Sequence, residues 1–358
     1  MQHKPTTPQN EALDAFIGLD LGDRFTAICV LNHHGEVENR FRCHTTRDSF
    51  EKHFARRPRA RLALEASGQS AWIAQQLRGY GHEVIVANPR QLHLITQNTG
   101  KSDPADAETL ARLARADQHL LKPVHHRSPE TQAHLAIVRA RDTVVRARTQ
   151  LANCARGLAK LTGHRLPATL STTYSERASA QLPTELTDAL EPLLKQIDQL
   201  SETIKDYDAR LERTARLHYD APVRRLRSTP GVGTLTALAF VLTLGNDPHR
   251  FPKSRDVGPF LGLNPKRRQS GDADPQLGIT KAGNTLLRRL LVQCAHHILG
   301  RFGDDSTLRQ WGLKIAERGG ARARKRAVVA VARKLAVLLH HLWISGEDFE
   351  RFPAAPRI

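Results

Sequence analysis

The sequence predicts an α/β N-terminal domain, a helical coiled-coil middle and a mainly α C-terminal domain. Three observations carry this. Short apolar runs separated by turn residues fill the first ninety positions. Helix-period patterns follow without a further strand run. A seven-residue apolar repeat marks the middle of the chain. We place the domains at 14–128, 129–219 and 222–345, a division that 358 residues can sustain with a core in each.

In the first domain, Ala15 to Asp20, Phe25 to Leu31 and Val37 to Cys43 read as strands. Gly22-Asp23-Arg24 and Asn32-His33-His34-Gly35 are turn compositions between them, and such tight connections imply an antiparallel meander. Thr46 to Arg57 reads as a helix, Arg61 to Glu65 as a strand, Gly68 to Gly79 as a helix, and Glu83 to Ala87 as a strand before Pro89. Strands joined through helices predict a mixed sheet with helices on its faces, in the order of the ribonuclease-H-like arrangement.

From Glu130 a long helix carries Leu135, Val138, Val145, Leu151, Cys154, Leu158 and Leu161. A second carries Leu193, Ile197, Leu200, Ile204, Tyr207 and Leu211 in steps of four and three, a narrow stripe suited to an antiparallel hairpin. That stripe serves either a partner subunit or packing within one chain. The C-terminal region opens with Pro230-Gly231-Val232-Gly233 ahead of an apolar helix. This turn either offers backbone N–H groups to a phosphate or allows close helix packing. A loop rich in Gly, Asp and Arg runs from Asn264 to Gly283, then come a basic helix from Asn284 and a long one from Arg318 to Leu339.

Lys plus Arg number 54 against 36 Asp plus Glu, a net charge of +18, with a pI near 10.4. A chain this basic is suited to a polyanion, most simply nucleic acid. The four cysteines show no C-x-x-C spacing, which argues against a zinc site or a disulfide scaffold and fits a reducing compartment. The polar stretch from Met1 to Leu13 is not a signal peptide, and no apolar run approaches membrane-spanning length. A cytoplasmic protein without membrane contact is expected.

The chemistry-bearing candidates are Asp20 and Glu65, each ending an apolar run, and Asp103 and Asp106 at a helix start. Carboxylates at strand ends and a helix N-terminus can hold divalent ions. Asp103 before Pro104 also reads as an ordinary N-cap, with Asp106 at N3 favouring the helix dipole. Asp23 is a rival ligand further into the turn. Ser270, among Arg267, Arg268 and Gly271, is a candidate nucleophile or a plain loop serine. The doublets His33-His34, His125-His126, His296-His297 and His340-His341 show no matching ligand set.

Several segments together resemble the insertion-sequence-110 transposases, the bridge-RNA-guided recombinases, and their relatives the Piv-type DNA invertases. They are Ile17-Gly18-Leu19-Asp20, Ala63-Leu64-Glu65-Ala66-Ser67-Gly68, Lys101-Ser102-Asp103-Pro104-Ala105-Asp106-Ala107, Pro230-Gly231-Val232-Gly233, Phe260-Leu261-Gly262-Leu263-Asn264-Pro265, Ser270-Gly271 and Gly278-Ile279-Thr280-Lys281-Ala282-Gly283-Asn284. Ala327 to Leu339 also resembles a helix near the C-terminus of such proteins.

The resemblance implies a RuvC-like domain whose Asp20, Glu65, Asp103 and Asp106 bind Mg²⁺ (or Mn²⁺). It also implies a transposase domain with Ser270 as the catalytic serine, donor and target DNA as substrates, a non-coding bridge RNA, and a homodimer or homotetramer that is nucleoid-associated when on DNA. Leu21-Gly22-Asp23-Arg24 after the first Asp, and Gln269 before Ser270, depart from the family pattern. Inversion rather than transposition, hydrolysis by metal-activated water, and a non-catalytic nucleic-acid-binding descendant are the competing expectations.

Overall fold

In this computed structural model the described residues are 13–89, 102–124, 126–171, 173–245, 247–269, 275 and 277–353. The chain divides into two compact units, Met1–Arg127 and Ser128–Ile358.

The first unit is built on a five-stranded mixed sheet in the order β3-β2-β1-β4-β5. The strands are β1 (Ala15–Leu21), β2 (Phe25–Asn32), β3 (Val37–His44), β4 (Arg61–Glu65) and β5 (Glu83–Ala87). Strands β1, β2 and β3 pair antiparallel; β4 runs parallel to β1 and to β5. The expected strands and the meander are therefore present. Two-residue alternation sorts the side chains. Ile17, Leu19, Ile28, Val30, Leu62, Leu64, Val84 and Val86 form one core with Phe50, Phe54, Ile73 and Leu77. Those last four belong to α1 (Arg47–Phe54) and α2 (Ser70–Gly79). The opposite face packs Cys29, Leu31, Ala63, Ile85 and Ala87 against α3 (Asp103–Ala116). Burial on both faces explains why β4 and β5 read as unbroken apolar runs.

The second unit opens with an antiparallel hairpin of α4 (Pro129–Leu161) and α6 (Thr187–His218), with α5 (Tyr174–Ser179) between them. Arg141 pairs with Asp208 at 2.5 Å, and Arg148 donates to Ser201 Oγ at 3.2 Å. On α6 the buried line is Leu190, Leu194, Ile197, Ile204, Leu211 and Ala215. Ser201 and Asp208 fill its missing heptad positions. Half of the expected stripe, Ile197, Ile204 and Leu211, lies on that seam, while Leu193, Leu200 and Tyr207 flank it half-buried. The shift has a simple cause. Two seam positions are polar and paired, so an apolar pattern passes over them.

Beyond α7 (Asp220–Arg227), the apolar α8 (Thr234–Leu244) packs against α4, α6 and α7 and is buried from Thr236 to Leu244. α10 (Thr285–Leu299) also packs on it, while α12 (Gly320–Ser345) packs on α10, α9 (Val257–Phe260) and α11 (Thr307–Ala316). The Pro230-Gly231 turn makes a close helix contact. Gly231 has φ +79°, and a β-carbon there would lie 2.9 Å from His297 Cδ2 of α10. One expectation fails: α12 is long and apolar enough to cross a membrane, with a window of mean hydropathy 1.6. Half of that window is buried inside the unit, and the helix start carries Arg322, Arg324, Lys325 and Arg326, as suits a core helix.

Candidate functional site

Strand pairing brings the acids together. Leu19 of β1 pairs with Leu64 of β4, so Asp20 and Glu65 come next on adjacent parallel strands. Alternation turns both toward the α3 face, where Gly18 and Ala63 also lie. Gly18 then fixes the helix. A β-carbon there would overlap the Ala107 carbonyl oxygen and sit 2.6 Å from Ala111 N, so only glycine lets α3 approach β1 this closely. The first turn of α3, with Asp103 and Asp106, is thereby held over the ends of β1 and β4.

The electrostatics record this convergence. The Asp20 carboxyl is pushed up to about 6, first by burial and then by the charges of Asp103, Asp106 and Glu65. Three like charges resist ionisation of a fourth, and a divalent cation would reverse that balance. An all-oxygen set of this kind fits Mg²⁺ or Mn²⁺. The capping expectation is corrected: the N-cap is Ser102, so Asp103 opens the helix and Asp106 lies one position deeper than N3. Asp103 is therefore not used as the N-cap acceptor. Asp23 sits exposed in the β1–β2 turn.

Ser270 and Lys101 lie outside the described residues; the described segments that flank the serine in sequence pair with each other. Pro265 bridges Ile279, Lys266 N donates to the Gly278 carbonyl at 2.9 Å, and Thr280 N donates to the Asn264 carbonyl at 2.9 Å. Gly262 (φ +68°) and Gly283 (φ +74°) cross so closely that β-carbons would overlap the opposite backbone. Arg288 fastens the crossing by donating to the carbonyls of Leu261 (2.9 Å) and Ala282 (2.7 Å). The Phe260–Pro265 and Gly278–Asn284 segments are thus two halves of one clasp.

Beside the clasp runs a trough of about 1280 Å³. Lys266, Arg267 and Lys281 line it from the clasp; Lys325, Arg326, Arg333 and Lys334 line it from α12; Arg255 and Arg318 complete the set. Nine cations and no carboxylate face this space among the described residues. Trp311 is the one aromatic ring among the described lining residues, with Lys334 Nζ 4.6 Å from its centroid. Such a surface suits phosphates more than bases.

Of the histidine doublets, His340 is fully buried, hydrogen-bonded to Ser254 Oγ (3.0 Å) and the Pro248 carbonyl (2.9 Å), so its role is structural. Sequence reasoning missed a different group. Glu130, His134 and His218 bring ligand-type atoms within 4.8 Å of one another. The Glu130–His134 spacing of four on a helix was its only local signal.

A cradle of carboxylates in one unit and a cationic trough in the other define a chain equipped for divalent ions and for a polyanion. Comparison with known proteins gives the same direction. Residues 17–163 match a DEDD transposase model of the IS110 group, and residues 223–311 match the "Transposase IS116/IS110/IS902 family". The four acids lie in the first match and Ser270 in the second. The chain is 33% identical over 318 residues (86% of this chain, 78% of the relative) to "Putative transposase y4pF/y4sB" of Sinorhizobium fredii. It is 30% identical over 295 residues (80% and 79%) to "Transposase for insertion sequence element IS1111A" of Coxiella burnetii. It is also 30% identical over 321 residues (88% and 92%) to "Probable family 20 transposase" of Pseudomonas aeruginosa. The chain belongs to the IS116/IS110/IS902 family of transposases, and with it to the DNA-processing enzymes.

Proposed function

We propose that the protein cleaves and rejoins DNA with a metal-binding acid set, Asp20, Glu65, Asp103 and Asp106, and with Ser270 as nucleophile. The observation that carries this reading is the convergence of the four carboxylates, expressed in the raised Asp20 pKa. The sheet order and the helix on the acidic face support a RuvC-like assignment of the first unit. Bound Mg²⁺ or Mn²⁺ would supply positive charge to polarise the scissile phosphate. Ser270 Oγ bonds to phosphorus, the bond to the departing strand oxygen breaks, and that oxygen takes up a proton. A phosphoserine link of this kind keeps the phosphodiester energy for rejoining. Arginines and lysines of the clasp and trough hold the backbone and offset the pentavalent charge.

The reading extends to a bridge RNA that selects donor and target DNA by base pairing. A cation-rich trough with a single aromatic among its described lining residues supports a protein that grips backbone and leaves sequence to pairing. The α4–α6 hairpin would act as the coiled-coil arm through which copies assemble as a dimer or tetramer, in the cytoplasm and on the nucleoid.

The test is a nicked suicide substrate that traps the covalent adduct. Wild-type protein should yield a phosphoserine at Ser270, and Ser270→Ala should give neither adduct nor cleavage. Normal cleavage by Ser270→Ala without an adduct would replace this reading with hydrolysis by water.

A further inference from the structure

We propose that Glu130, His134 and His218 form a second metal site, for a borderline transition-metal ion of the Zn²⁺ type, at the end of the α4–α6 hairpin away from its connecting segment. This site is separate from the acid set and independent of the recombinase reading.

The geometry comes from the hairpin. Glu130 and His134 are one turn apart on α4, so both side chains lie on one helix face. His218 ends α6, and the antiparallel pairing returns it to that face. The three ligand-type atoms fall within 4.8 Å of one another, and His218 Nδ1 is 3.0 Å from Glu130 Oε1. Ligands about 2.0–2.2 Å from a tetrahedral ion are separated by about 3.4 Å, so small side-chain adjustments close the set.

The surroundings also suit a metal. Tyr219 Oη lies 3.0 Å from His134 Nδ1 and shares a further hydrogen bond with Thr131. In the tautomer protonated at Nδ1, that N–H donates to Tyr219 Oη, which leaves the His134 Nε2 lone pair free for coordination. This is the arrangement of a ligand imidazole oriented by an outer partner. Glu130 and His218 are exposed, so water can complete the fourth position. Two imidazoles and one carboxylate favour Zn²⁺ or Co²⁺, whereas the four carboxylates favour Mg²⁺.

Such an ion would staple the first turn of α4 to the last turn of α6. The experiment uses full-length protein without an affinity tag and titrates Co²⁺, read by its visible absorption, and Zn²⁺, read by competition and thermal unfolding. Wild-type protein should bind one equivalent with an ordered-site spectrum that excess Mg²⁺ leaves unchanged. Zn²⁺ at a hundredfold excess over Kd should raise Tm by about 5 °C. Glu130→Gln and His218→Gln should each weaken binding about a hundredfold, and Tyr219→Phe about tenfold. Asp20→Asn should leave the site intact. Affinity unchanged in His218→Gln and Glu130→Gln, or lost in Asp20→Asn, would overturn the proposal. The two exposed positions are chosen because metal-free folding should survive their substitution, which the Tm without metal verifies.

Discussion

The two units concentrate opposite charges, and each does so by packing. In the first, a chain of net charge +18 gathers four carboxylates at the ends of β1 and β4. In the second, nine cations face one trough with no carboxylate among its described lining residues. Neither arrangement arises from local sequence preference, because like charges repel and would separate on a free surface. Close backbone contact overrides that repulsion in both places. Gly18 seats α3 on β1, and Gly262 with Gly283 locks the clasp beside the trough. What differs is the ligand proposed to relieve each: a small divalent cation in the cradle, and an extended polyanion in the trough.

Separate removal of the two charge sets should separate chemistry from binding. The largest effect is expected from Asp20→Ala or Glu65→Ala. Loss of metal assistance worth several kcal/mol should slow strand cleavage about a thousandfold, with DNA affinity within about threefold of wild type. A comparable loss of DNA affinity, measured by fluorescence anisotropy, would show that the cradle is also the grip. Next comes the trough. Lys266, Lys325 and Arg326 are exposed, so a triple alanine variant should fold normally. It should bind DNA about ten- to a hundredfold more weakly at moderate salt, with the slope of log K against log salt reduced by about 3. An unchanged slope would mean that nucleic acid lies elsewhere.

The same contrast explains what the sequence made legible. Strands β1 to β5 were readable because each is a short apolar run between turn residues, and all four acids stand at element ends that such runs reveal. That they meet depends on Gly18, whose significance appears only when α3 lies across it. The hairpin was readable as two long helices, but its seam was displaced because the polar Ser201 and Asp208 occupy two of the seam positions. The trough was not readable: Lys266 and Arg326 are sixty residues apart in the chain. Glu130 and His218 are still further apart, and only the antiparallel return of α6 joins them. Local pattern thus disclosed elements and their ends. Long-range contact decided which side chains share a site.

The third prediction concerns the joint that holds the cradle. Gly18→Ala places a methyl group against the Ala107 carbonyl and must push α3 outward. Overpacking of this kind should cost about 1–3 kcal/mol in chemical denaturation. It should also weaken Mg²⁺ binding, because Asp103 and Asp106 would withdraw from Asp20 and Glu65. Destabilisation with unchanged Mg²⁺ affinity would show that the acids do not depend on this contact.

The smallest effect is a pH dependence with a definite sign. The Asp20 carboxyl rises from 3.8 to about 6 on folding, so the folded state holds its proton more tightly than the unfolded state. Metal-free protein should lose stability as pH rises from about 4 to about 6, and the loss should then level off. Since the group is only half-buried, solvent screening discounts the contribution to about 1 kcal/mol. Asp20→Asn should remove that part of the pH profile and leave the metal-free protein slightly more stable than wild type at neutral pH. Mg²⁺ should act in the opposite direction, stabilising wild type more strongly above pH 6, where Asp20 is ionised, and barely affecting the variant. If wild type and Asp20→Asn show superimposable pH profiles with and without Mg²⁺, the carboxylates are not coupled, and the acidic side of the comparison fails.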